Sequence, residues 1–77
     1  MESKKDYYDY DKICSVLMRK FDRKEFDLLC DKIGINSSTI KGTTHGERIN
    51  NLINYCKEED LTEKLVERIR MDRLGAL

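Results

Sequence analysis

FDRKEFDLLCDKIGI, Phe21 to Ile35, carries one whole helix with its start and stop written in. Asp22 is a good N-cap residue. Glu25, three positions later, completes a capping box in which each side chain satisfies a backbone N–H that the first turn leaves unpaired. Phe26, Leu29, Cys30 and Ile33 recur at steps of three and four and form one apolar stripe. Gly34 can take the left-handed conformation that ends a helix. Phe21 and Phe26 stand at N′ and N4, the spacing of a hydrophobic staple.

Upstream, Tyr10, Ile13, Cys14, Leu17, Met18 and Phe21 make a first helical stripe that begins near Tyr8. Asp9 and Asp11 near its start, and Arg19 and Lys20 near its end, suit the helix dipole. Since Phe21 precedes the Asp22 cap, the connection to the second helix is very short. Residues 1–7 are polar and charged and are expected to form a flexible N-terminus.

Downstream, INSSTIKGTTHG (35–46) is the one long connection. Its Ser, Thr, Asn and Gly residues predict an irregular or 3₁₀ turn over Ser37 to Lys41, pinned by Ile40. A third helix is expected from Thr44, with Glu47 at capping-box spacing. It buries Ile49, Leu52, Ile53 and Cys56, keeps Asn50, Asn51 and Asn54 wet, and ends in solvent at Lys57-Glu58-Glu59. The last helix is read from Asp60, with Glu63 again three residues on. Its stripe is Leu61, Leu65, Val66 and Ile69 with Leu74 at the far end, and Gly75 is its stop.

The fold expected is all-α: a single domain over residues 8–77, a small antiparallel bundle of five to six helices. The chain has 77 residues, enough for one core, and no Pro, no Trp and four Gly, a composition that suits helices. The core is placed on Ile13, Leu17, Phe21, Phe26, Leu29, Cys30, Ile33, Ile40, Ile49, Leu52, Ile53, Leu65 and Ile69.

Charged residues make up 39% of the chain, yet 15 basic and 15 acidic side chains leave no net charge. A general nucleic-acid binder carries a basic excess, because phosphate neutralisation dominates its affinity. Balanced charge instead allows complementary patches on one surface. Cys14, Cys30 and Cys56 are far apart, each within an apolar stripe, and there is one His. No paired spacing of the kind structural zinc needs is present, so no metal or other cofactor is expected and the thiols read as reduced core residues. No apolar run approaches the ~20 residues of a membrane span, and the N-terminus lacks a signal-like segment. A cytoplasmic protein is expected.

Taken together, F-DRKEFDLLCDKIGI and the later ERINNLINYCKEEDLTEKLVERIRMDR resemble the bacterial effector-associated domains, which are small death-like helical domains. The matching pieces are Phe21, Leu28-Leu29-Cys30, Gly34-Ile35, Leu52-Ile53-Asn54-Tyr55, Leu61 and Leu65-Val66-Glu67-Arg68-Ile69-Arg70. They span Ile13 to Arg73. The resemblance implies a death-like Greek-key fold and a non-catalytic adaptor that joins like to like, coupling a sensor to an effector in bacterial conflict, antiphage or cell-death-like systems, in some cases through filaments. Arg70-Met71-Asp72-Arg73-Leu74 is also similar to the R-x-D-L-L motif of the death-effector domain, with Arg73 where its first Leu stands. That likeness implies a surface charge triad of Glu25, Arg70 and Asp72.

The residues allow such pairing. A head-to-tail contact needs two different, complementary patches. Arg19, Lys20, Arg23 and Lys24 form a basic cluster where the first two helices meet. Glu58, Glu59, Asp60 and Glu63 form an acidic cluster where the last two meet. Opposite patches steer association and set orientation, and an exposed Tyr55, Tyr7 or Tyr8 would supply an aromatic anchor. The partner expected is a like domain on the same or another protein, without nucleic acid or membrane.

Two other classes fit the residues less well. A small helix-turn-helix nucleic-acid binder would use the same basic cluster on phosphate and Asn50, Asn51 and Asn54 on bases. An enzyme would need a reactive thiolate paired with His45. His45 reads as an exposed first-turn residue and the cysteines read as buried, so no catalysis is expected.

Overall fold

The computed structural model describes residues 8–77. The expected flexible N-terminus over residues 1–7, and Tyr7 with it, lies outside the described residues. Four α-helices follow one another: α1 (Tyr10–Lys20), α2 (Arg23–Lys32), α3 (His45–Glu58) and α4 (Thr62–Asp72). A three-residue 3₁₀ turn, Ser37–Thr39, lies between α2 and α3. Against the expected five to six helices, these are the helical elements among the described residues, and none of the described residues is in a strand.

The starts follow the capping chemistry. Asp9 caps α1 by accepting from the Lys12 N–H. Asp22–Glu25 and Thr44–Glu47 each form a complete capping box. Asn36 caps the 3₁₀ turn by accepting from the Ser38 N–H at 3.0 Å.

The stops are as local. α2 ends with Gly34 left-handed (φ +85°), while the Ile35 N–H returns to the Cys30 carbonyl at 2.8 Å and the Gly34 N–H to that of Asp31. This is a Schellman closure with an apolar residue following it. α3 ends the same way, with the Leu61 N–H on the Cys56 carbonyl at 2.8 Å. There the left-handed residue is Asp60 (φ +57°).

Asp60 is therefore the terminator of α3 and not the cap of α4. The last helix begins two residues later, at Thr62, and Leu61 gives it no side-chain cap. The spacing Asp60-x-x-Glu63 resembles a capping box, but the helix stop at Asp60 takes precedence.

The first and third helices pair antiparallel. Along α1 and α3, Lys57 Nζ sits 4.0 Å from the Tyr10 ring centre, Cys14 Sγ reaches Asn50 Oδ1 at 3.6 Å, and His45 meets the Phe21 carbonyl. Along α2 and α4, Glu25 pairs with Arg73, Lys32 pairs with Asp72, and Gly34 and Lys64 share one groove.

Every residue of the expected core is buried, and Val16, Ile35, Cys56 and Val66 join it in one cluster. Burying side chains of this size contributes ~1.5–3 kcal/mol each before conformational entropy is subtracted. Three positions of the wider expected stripes differ: Cys14, Met18 and Leu74. The buried face of α1 runs through Val16, leaving Met18 49% exposed and Cys14 half-buried. The residues after α4 lie on the Val16 side: Ala76 packs against the core cluster and lines a groove together with Val16. Leu74 is 89% exposed, because α4 has already ended at Asp72.

Candidate functional site

The two-residue connection between α1 and α2 has no glycine, and Phe21 is extended (φ −126°, ψ 124°). The carbonyls at the end of α1 must therefore find donors elsewhere. The first comes from α3. His45 Nε2 lies 2.8 Å from the Phe21 carbonyl. A carbonyl only accepts, so Nε2 carries the proton. The ring also packs edge-on against Phe26, with centres 5.7 Å apart. His45 is thus half-buried and structural, where the sequence suggested an exposed residue.

The second donor comes from the residue just after α4. Arg73 Nε donates to the Lys20 carbonyl at 3.1 Å. The guanidinium stands 4.7 Å from the Phe21 ring centre and pairs with Glu25. Asp72 beside it pairs with Lys32 at 3.4 Å and with Arg68, one turn back, at 3.3 Å. A charged seam therefore joins α2 to the end of α4.

This seam corrects the expected triad. Glu25 and Asp72 take part, but the arginine that meets Glu25 is Arg73. Arg70 is exposed and, among the described residues, pairs with no carboxylate. Arg73 lies just past the end of α4 with non-helical backbone (φ −136°, ψ 80°), and from there its side chain meets the start of α2, while Arg70 stays on the exposed surface of α4.

The basic cluster is exposed throughout. Arg19, Lys20 and Arg23 line a shallow groove of about 410 Å³ together with Met18, Phe21 and His45. Lys24 is exposed outside that lining. Asp22 and Glu25 also line the groove, but their carboxylates are engaged: Asp22 caps α2, and Glu25 holds Arg73 and the Asp22 N–H.

At the far end of α3, Glu58, Glu59 and Asp60 are exposed and, among the described residues, pair with no cation. Lys57, the neighbouring cation, lies over Tyr10. Glu63 is also exposed, on the first turn of α4, and is engaged. The two clusters thus sit at opposite ends of α3. Its 14 residues put them roughly 21 Å apart along the helix.

The remaining polar groups mostly hold the fold. Arg48 pairs with Asp27 at 2.9 Å, donates to the Ser37 carbonyl at 3.0 Å and lies 4.9 Å from the Phe26 ring centre. It ties the long connection to α2. Asn51 donates to the Lys41 carbonyl at 2.6 Å, and Asn50 accepts from Cys14. The Thr43 N–H lowers the pKa of Glu47, helped by the Thr43 hydroxyl and the Thr44 N–H. Tyr55 and Tyr8 are half-buried.

Burial pushes the Cys30 thiol up to about 11, and the Cys56 thiol up to about 12 with a further push from Cys30. Both thiols are protonated near neutral pH. Among the described residues no group of three or more His, Cys, Asp and Glu is arranged to hold a metal, and no helix is long and apolar enough to cross a membrane.

Sequence reasoning missed two contributors to this surface. Periodicity puts Met18 on the core stripe, and motif comparison marks Arg73 only as a departure. The signal for Arg73 was present: a cation just past a helix, in a chain whose first helix ends without glycine.

A family model described as effector-associated domain 7 matches residues 13–73 of the chain. No curated protein and no solved structure matches it.

Proposed function

The chain belongs to the effector-associated domain 7 family, and on that premise we propose that it is a non-catalytic, homotypic protein–protein interaction module of the cytoplasm. It joins a sensor to an effector in a bacterial conflict, antiphage or cell-death-like system. The fold proposed is death-like, with the four α-helices and the 3₁₀ turn arranged as a Greek key. The partner is a like domain, on the same protein or another, and assembly proceeds through oligomers.

The observation that carries this reading is the pair of oppositely charged groups at opposite ends of α3, Arg19, Lys20 and Arg23 at one and Glu58, Glu59 and Asp60 at the other, none of which forms an ion pair among the described residues. One domain cannot satisfy both from within. Two copies can, the acidic end of one meeting the basic end of the other. The enzyme alternative has little support: the Met18 groove is shallow, the buried thiols are held protonated, and His45 is engaged with the Phe21 carbonyl. A nucleic-acid reading is weakened because Asn50 and Asn51 are engaged within the domain.

Size-exclusion chromatography with light scattering, over a range of protein and salt concentrations, tests the reading. Species that grow with concentration and dissolve with salt support it. A monomer at every concentration moves the partner to a like domain on another chain. If Arg23→Glu and Glu59→Lys both leave an established complex intact at low salt, the charged clusters are not its interface.

A further inference from the structure

Each charged cluster carries features that local stability does not require. Glu58 and Glu59 stand at the C-terminus of α3, where the helix dipole favours a cation. The cation available there, Lys57, lies over the Tyr10 ring. Asp60 holds a left-handed conformation that glycine adopts with less strain, and Gly34 does so at the matching position of α2. The turn between α3 and α4 thus presents three carboxylates outward, with no cationic partner among the described residues.

The groove at the other end is its chemical complement. Its floor is apolar and partly open, with Met18 49% exposed beside Phe21 and His45. On its rim Arg19, Lys20 and Arg23 have no carboxylate partner among the described residues, since Asp22 and Glu25 are held by the α2 cap and by Arg73. With Glu25 matched by Arg73, the groove keeps three cations against Asp22 and is net cationic.

We infer that the Glu58-Glu59-Asp60 turn of one copy seats in the Met18 groove, between Arg19 and Arg23, of a second copy. This rests on the homotypic reading and adds to it which surface fills which. The contact is heterologous, because the two faces differ and lie at opposite ends of α3. Each added copy leaves one free turn and one free groove, so growth is head to tail. A contact of this small size, dominated by exposed charge, is weak and falls with salt as screening shortens to ~8 Å near physiological ionic strength. Tethering several copies on one assembly then raises the effective concentration and makes association depend on clustering.

Two doubly substituted proteins test the inference by sedimentation velocity at low salt. Arg19→Ala/Arg23→Ala removes the groove's charge and leaves the turn. Glu58→Ala/Glu59→Ala does the converse. All four side chains are exposed, so both proteins should melt as the unsubstituted chain does by circular dichroism. Each alone is expected to self-associate at least about tenfold more weakly, equivalent to losing ~1.4 kcal/mol. Mixed in equal amounts, they should form a one-to-one dimer and nothing larger, because the mixture holds one good turn and one good groove per pair. A mixture that stays monomeric while the unsubstituted chain assembles overturns the pairing of these two faces. If both variants assemble like the unsubstituted chain, the docking is wrong while the homotypic reading stands. If the unsubstituted chain stays monomeric throughout, the second copy is the wrong occupant.

Discussion

Arg73→Ala should be among the most damaging substitutions of an exposed or half-exposed residue in this domain, and Arg70→Ala among the least. Arg73 makes three contacts at once: the ion pair with Glu25, the hydrogen bond to the Lys20 carbonyl and the stacking over Phe21. The pair is partly solvated, with side-chain exposures of 32% and 40%, and so contributes only ~0.5 kcal/mol. The charged hydrogen bond adds ~1 kcal/mol and the ring contact ~0.5 kcal/mol. The sum is roughly 2 kcal/mol, a large share of the ~5–15 kcal/mol typical of whole domains. In a chain of this size that lowers the melting temperature by roughly 8–16 °C. Arg70→Ala removes no partner and should stay within ~0.5 kcal/mol. Urea unfolding followed by far-ultraviolet circular dichroism measures both. A cycle with Glu25→Gln, which keeps an oxygen for the α2 cap, isolates the ion pair. Equal losses for Arg70→Ala and Arg73→Ala would refute the reasoning, because they would restore Arg70 to the seam.

Other consequences are as direct. Asp60→Gly should raise stability by ~0.5–1 kcal/mol by relieving the left-handed backbone, and Gly34→Ala should lower it by ~1–2 kcal/mol for the same reason, both read from urea midpoints. His45→Ala removes the donor to the Phe21 carbonyl and the edge contact with Phe26 and should cost ~1–2 kcal/mol, measured by thermal unfolding. The buried thiols predict a pH effect. Their folded pKa values of about 11 and 12 lie above the ordinary thiol value, so the folded state retains protons that the unfolded state releases. Their contribution is fully present below the unfolded pKa of ~8.5 and is lost as pH rises through the folded values. Stability should therefore fall above pH ~9, and Cys30→Ala/Cys56→Ala should flatten that fall. A thiol-reactive disulfide reagent should label half-buried Cys14 first, with Cys30 and Cys56 reacting only on unfolding.

Much of the fold was legible because its signals are local. Asp22–Glu25 and Thr44–Glu47 are capping boxes in the structure as in the sequence, and Gly34 ends α2 where a left-handed residue is required. The misreadings came where two local signals compete or where a distant element decides. Asp60 fits an N-cap by composition and a C-cap by the helix before it, and only the return of the Leu61 N–H to Cys56 settles which. On α1, Val16 and Met18 lie on either side of the Ile13–Leu17 line, and periodicity cannot choose between them. The end of the chain does: Ala76 packs against the core cluster on the Val16 side, while Met18 lines an open groove. The charge clusters were legible as composition. What could not be read was which charges are already engaged.

That last distinction bears most on function. Lining residues alone make the Met18 groove a mixture of three cations and two carboxylates plus a histidine. Arg73 matches the charge of Glu25, and Asp22, although its oxygen is taken by the α2 cap, keeps its own, so three cations face one unmatched carboxylate. The contacts that stabilise the α1–α2 junction are thus the same ones that leave its surface net basic. Arg73 is central to both effects: it supplies a donor to the end of α1 and keeps Glu25 from neutralising the rim. Replacing it by the leucine of the resembled motif would release Glu25 beside Arg23. A leucine at position 73 should therefore weaken association as well as stability, and a folded, stabilised background such as Asp60→Gly cannot be used to separate the two, since it alters the acidic turn. Gains elsewhere in the core would be needed, after which a loss of assembly with stability restored would tie the seam to binding through charge alone.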